Sequence, residues 1–85
     1  MRLDKFLKVS RIIKRRTLAK EVCDHGKTQI NNRVAKAGTE VKPGDVLELD
    51  FGYKKITVEV LATPENVRAQ EAKELYKLIE EKVNE

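Results

Sequence analysis

The sequence holds one cysteine, one histidine and no tryptophan, and each scarcity closes off a class of function. A lone Cys23 forms no internal disulfide and has no companion for a metal site. A lone His25 rules out any multi-histidine metal centre. The four glycines are scattered and match no phosphate-cradling loop. No apolar run approaches the about 20 residues that a membrane-spanning helix needs. The first apolar stretch, Leu3 to Val9, is interrupted by Asp4, Lys5 and Lys8, so it does not read as a signal peptide. These absences lead to the expectation of a cytoplasmic, non-enzymatic protein with no cofactor, no metal and no membrane partner.

What is present is charge. In the 85-residue chain, 40% of residues are hydrophobic and 38% charged, a balance that fits one small folded domain with a charged shell rather than a disordered tail. The charge is unevenly placed. Residues 1–38 carry eleven Lys and Arg against three acids, net +8, and residues 39–85 carry seven against eleven, net −4. Clustered cations gain affinity for a phosphate backbone by releasing its condensed counterions, so a polyanionic partner is expected for the first half. The alternative is a solvated basic face with no partner.

The pattern along the chain places those cations on helices. Arg2 to Val9 reads as a helix with Leu3, Phe6 and Leu7 on one arc. After a short connector at Arg11-Ile12-Ile13, a second helix runs from about Lys14 to Asp24, with Leu18, Ala19, Val22 and Cys23 as its apolar stripe. Gly26 supplies its left-handed stop. Short strands follow at Thr28–Asn31 and Val34–Ala37, joined by an Asn31-Asn32 turn, since Asn tolerates positive φ. Leu47, Leu49 and Phe51, then Ile56, Val58 and Val60, alternate with polar residues in a hairpin through Gly52-Tyr53-Lys54. Thr63-Pro64 resembles a helix start. Ala72, Leu75, Tyr76, Ile79 and Val83 follow at helical spacing, which predicts one helix from about Glu65 to Val83.

The candidate site is therefore basic. Arg2, Lys5, Lys8, Arg11, Lys14, Arg15, Arg16 and Lys20 belong to two adjoining helices, and Lys27 follows them. Four bases within Lys14–Lys20 repel one another unless an anion sits against them, whereas arginine forks readily onto phosphate oxygens. Aromatic residues are only 5% of the chain. Phe6 is expected in the core, and Tyr53 and Tyr76 lie far off in sequence. That argues against base stacking on a single strand and for reading a folded RNA by its shape and backbone. His25, at a helix end, fits a capping role or a phosphate contact better than catalysis. A helix pair of this kind also leaves open a helix-turn-helix regulator that binds duplex DNA as a symmetric dimer.

Arg2-Leu3-Asp4-Lys5-Phe6-Leu7, Ser10-Arg11, Arg15-Arg16, Ala19, Gly26, Ile30-Asn31, Lys36 and Pro43-Gly44-Asp45 together resemble the S4 RNA-binding domain over about residues 1–50. One departure is Asn31-Asn32-Arg33, where the family usually has Asn-Gly. With no catalytic domain attached, the chain is most similar to the small heat-shock S4 proteins of bacteria, and within them to the Gram-positive RqcP type. The resemblance implies an α+β fold in which two basic N-terminal helices lie on a small antiparallel sheet. It implies an S4 domain with its hairpin over residues 1–62, and a C-terminal helix over 63–85 packed on the same domain. It also implies a ribosome-associated monomer whose partners are 23S rRNA of the large subunit, peptidyl-tRNA and an RqcH-type tailing factor, acting in alanine tailing of stalled chains. Large-subunit assembly and heat-shock rescue are the alternatives within RNA binding. Carried onto this sequence, Arg2 and Arg16 are the first expected phosphate contacts, with Lys5, Arg11, Arg15 and Lys20 extending the surface. Asp4 either orients a neighbouring arginine or is a first-turn acid favoured by the helix dipole.

Overall fold

The computed structural model describes residues 1–83. Two short helices, α1 (Leu3–Val9) and α2 (Arg16–Asp24), precede β1 (Thr28–Ile30), β2 (Arg33–Val34), β3 (Val46–Asp50) and β4 (Lys54–Val60). A 3-10 helix (Ala69–Leu75) and β5 (Tyr76–Val83) complete the described residues. The strands form one antiparallel sheet in the order β2-β1-β3-β4-β5. Alternation along β3 and β4 sends Leu47, Leu49, Ile56, Val58 and Val60 to one face. There they join Leu3, Phe6 and Leu7 of α1 and Ala19 and Cys23 of α2 in a single core. Opposed pairs Leu47↔Val58 and Leu49↔Ile56 put these side chains side by side, which is how an antiparallel ladder gains its packing.

The α1 helix is too short to persist alone, and the side chain of its N-cap residue, Arg2, caps none of its N–H groups. They are satisfied from elsewhere in the chain. Leu3 and Asp4 N–H groups donate to the carbonyls of Thr39 and Ala37 at 2.8 and 3.1 Å, and Met1 O accepts from Val41 N–H at 2.8 Å. The loop at 37–41 thus pins the N-terminus before the helix begins. Asn31 and Asn32 both take positive φ, 51° and 69°, the geometry of the two-residue hairpin turn that matches strand twist. Asn31 also accepts from the Val46 N–H at 3.0 Å and donates to Asp45 Oδ1 at 3.1 Å. The absence of a glycine therefore leaves this turn intact.

The expected C-terminal helix over Glu65–Val83 is not there. Only Ala69–Leu75 winds, as a 3-10 helix, and Tyr76–Val83 is extended along β4. The helical stripe is half real: Ala72 and Leu75 are buried and Tyr76 partly so, while Ile79 and Val83 are more than half exposed. The cause is tertiary. The outer edge of β4 offers seven residues of unpaired backbone, and β5 satisfies them from Lys54↔Val83 to Val60↔Tyr76, with a bulge opposite Thr57/Val58. Pairing an open edge outweighs a weak local preference for helix. Asn84 and Glu85, the end of the expected 63–85 helix, lie outside the described residues. A smaller correction concerns α2, where Leu18 is 48% exposed, and Ala19 and Cys23 are the residues that face the core.

Candidate nucleic-acid interface

A buried carboxylate organises the basic surface. Asp4, in the first turn of α1, is 3% exposed. Its Oδ1 accepts from Arg2 Nε at 3.2 Å, from the Lys5 backbone N–H at 2.8 Å and from Arg16 Nη2 at 3.5 Å. Its Oδ2 accepts from Arg16 Nε at 3.4 Å. One carboxylate therefore ties the residue before α1 to the first residue of α2, while the two arginine side chains stay about half exposed, at 55% and 50%. Burial acts to raise the Asp4 pKa. It is outweighed by the Arg16 hydrogen bond, the Lys5 N–H and the charges of Arg16 and Arg2, so the carboxyl is held below its ordinary value. Two cations around one anion leave a net positive charge whose position is fixed from beneath. Of the two roles open to Asp4, this geometry supports orientation of the arginines.

The remaining cations divide. Lys5 is half-buried beside Asp4 and Lys20 is exposed one turn beyond Arg16. Arg15, exposed and extended, immediately precedes α2. Lys8, Arg11 and Lys14 line a separate cleft of about 400 Å³ with Val9, Val67 and Ala69. Lys27 stands apart at the entry to β1, bordering a depression with Glu48, Asp50 and Lys55.

Each helix is followed by a C-cap residue and then a left-handed one, but the closing bonds differ. After α2, Gly26 at φ 71° donates to Cys23 O at 3.0 Å and Lys27 N–H donates to Val22 O at 3.2 Å, the paired closure in which glycine is favoured. After α1, the left-handed residue is Arg11, at φ 60°, with its N–H on Lys8 O at 3.0 Å. A residue with a Cβ pays roughly 1–2 kcal/mol for that conformation. Ile13, buried, donates to Leu7 O at 3.0 Å and holds the turn. Nothing in the sequence signalled this backbone state. The Val67–Ala69 wall was equally hidden, because the segment carries no charge pattern linking it to α1.

The residues kept out of the site behave as small structural parts. Burial pushes the Cys23 thiol pKa up, and its Sγ lies 3.8 Å from Thr28 Oγ1 in the core. His25 Nδ1–H donates to Glu21 O at 2.7 Å, a contact that caps the last turn of α2. On the other flank of α2, Ile12, Ile13, Leu18, Val22, Phe51 and Tyr53 border an open apolar groove.

With this geometry in view, the likenesses to known proteins are consistent. The S4 domain family matches residues 1–47. A protein of Halalkalibacterium halodurans named RQC P-site tRNA stabilizing factor is 60% identical over 81 residues, covering 95% of this chain and 92% of that one. A Bacillus subtilis protein of the same name is 55% identical over 86 residues, covering both chains fully. Among solved structures, trimeric Heat Shock Protein 15 of Vibrio cholerae superposes with a TM-score of 0.84 at 32% identity. That match covers 93% of this chain and 81% of the other.

Proposed function

The chain belongs to the S4 domain family, and from that premise we propose that it is an RNA-binding factor of the large ribosomal subunit. It docks through the α1–α2 face onto 23S rRNA and peptidyl-tRNA and acts by binding, without catalysis. In this reading it works in the cytoplasm as a monomer. It steadies a P-site tRNA on a stalled subunit while an RqcH-type factor adds the C-terminal alanine tail. Residues 1–62 form the docking module and residues 63–83 buttress it. The observation that carries the reading is the Asp4 clamp, which fixes Arg2 and Arg16 in the segment matched by the family. A fixed pair of half-exposed guanidiniums suits a folded RNA backbone better than a flexible basic tail does. The names of the relatives, at 60% and 55% identity, support the tRNA partner.

A direct test is sedimentation of the purified protein with large subunits that do or do not carry peptidyl-tRNA. Preferential recovery on the loaded subunits is expected, together with loss of alanine tails in cells lacking the protein. Equal recovery on both, with tails intact, would favour the second reading, a more general heat-shock rescue role. The likeness to Heat Shock Protein 15 supports that alternative.

A further inference from the structure

The cleft lined by Lys8, Arg11 and Lys14 stands on elements that the family match does not wholly contain. Its opposite wall is Val67 and Ala69, outside the matched residues 1–47. Three features set it apart from a solvated basic face. Its lining holds three cations and no acid, and among the described residues none of the three takes part in an ion pair. Its other walls are the apolar side chains of Val9, Val67 and Ala69, of which Val9 and Val67 are partly buried, an apolar surface against which ion pairing is stronger than in open solvent. Finally, Arg11 occupies a left-handed position that glycine fills at the end of α2. Disfavoured backbone kept for the sake of one side chain is a pointer to use of that side chain.

We propose that this cleft is a second phosphate-binding subsite, in which Lys8, Arg11 and Lys14 hold an RNA phosphodiester against a wall built by the C-terminal segment. The inference rests on the RNA-docking reading and deepens it. Lys8 follows Asp4 by about one turn of α1, so the subsite lies next to the clamp along that helix, and the ligand is the backbone of the RNA bound there rather than free phosphate. The C-terminal segment thereby acquires a share in RNA recognition, beyond closing the sheet.

Arg11→Gly is the informative variant, because it removes the guanidinium while suiting the backbone. Its thermal midpoint is expected to rise, by about 4–16 °C if the full strain of such a residue is relieved. Its affinity for large subunits is expected to fall roughly tenfold, with the slope of log K against log salt reduced by about one. Val67→Glu should weaken binding to a similar extent, and Val67→Lys should preserve or tighten it, a sign dependence that packing damage does not produce. Wild-type affinity in both Arg11→Gly and Val67→Glu, with Arg16→Ala weakened, would overturn the subsite and leave the docking reading standing. Failure of the wild-type protein itself to bind subunits would remove both.

Discussion

The α1–α2 face and β5 are both exposed and both crowded with charge, yet they hold it in opposite ways. On β5 and its neighbour the ions meet one another in solvent: Lys54 with Glu81 at 3.2 Å and Lys82 with Glu80 at 3.7 Å. Such pairs neutralise locally and contribute little. On the helical face a single acid is sunk beneath two arginines, at 5% side-chain exposure against 55% and 50%. It fixes them in place without cancelling them. Position in depth decides the outcome: an acid beside a base quenches it, whereas an acid below two bases presents them.

Breaking that arrangement from beneath should have the largest effect. Asp4→Ala is expected to destabilise the fold by about 1–2 kcal/mol, the lower part of the range for a lost charged hydrogen-bond acceptor, because both arginines can turn to water. It should also loosen subunit binding, which equilibrium unfolding and sedimentation measure separately. Removing one presented group comes next. Arg16→Ala should lower subunit affinity by about 1–3 kcal/mol and flatten the salt dependence by about one unit, with little change in thermal midpoint. Acid should act on the clamp more gently. The Asp4 pKa is lowered in the folded protein, so the unfolded chain takes up that proton more readily. Its contribution to stability is complete above the unfolded value of about 3.9 and fades as pH falls through the folded one. Urea midpoints at descending pH should show this slope in the wild type, and the Asp4→Asn variant should lack that part of it. The smallest effect sharpens the contrast from the other side. Lys82→Ala should change stability by less than about 0.5 kcal/mol and leave subunit binding unaltered.

The helical layer and the central hairpin were legible in the sequence because local pattern and tertiary environment agree there. Leu3, Phe6 and Leu7 fall on one arc and are all buried, and the alternation in β3 and β4 matches the sheet's two faces. The C-terminal segment misled for the opposite reason. Thr63-Pro64 and the stripe from Ala72 to Val83 satisfy helix rules, but those rules know nothing of the open edge on β4 that draws Tyr76–Val83 into the sheet. At the site, the residue types were readable and their grouping was not. Charge counting named Arg2, Arg16, Lys8 and Lys14 alike. Only the buried depth of Asp4 and the folding-back of Val67–Ala69 separate them into a clamp and a cleft. Arg11 carried no local sign of its turn, since the bond from Ile13 N–H to Leu7 O depends on where the core draws Ile13.

The outermost strand has a practical consequence for handling the protein. β5 ends the sheet with Leu78, Ile79 and Val83 more than half uncovered, guarded by Lys77, Glu80, Glu81 and Lys82. Charged side chains along an edge strand discourage a second molecule from adding on alongside, and concentrated electrolyte screens the fields of such exposed groups to within about 3 Å at 1 M. The washes that strip nucleic acid from a basic protein are therefore the ones in which this rim becomes adhesive. Turbidity should follow ionic strength upward in preparations freed of RNA, and exchanging Ile79 for lysine should hold them clear.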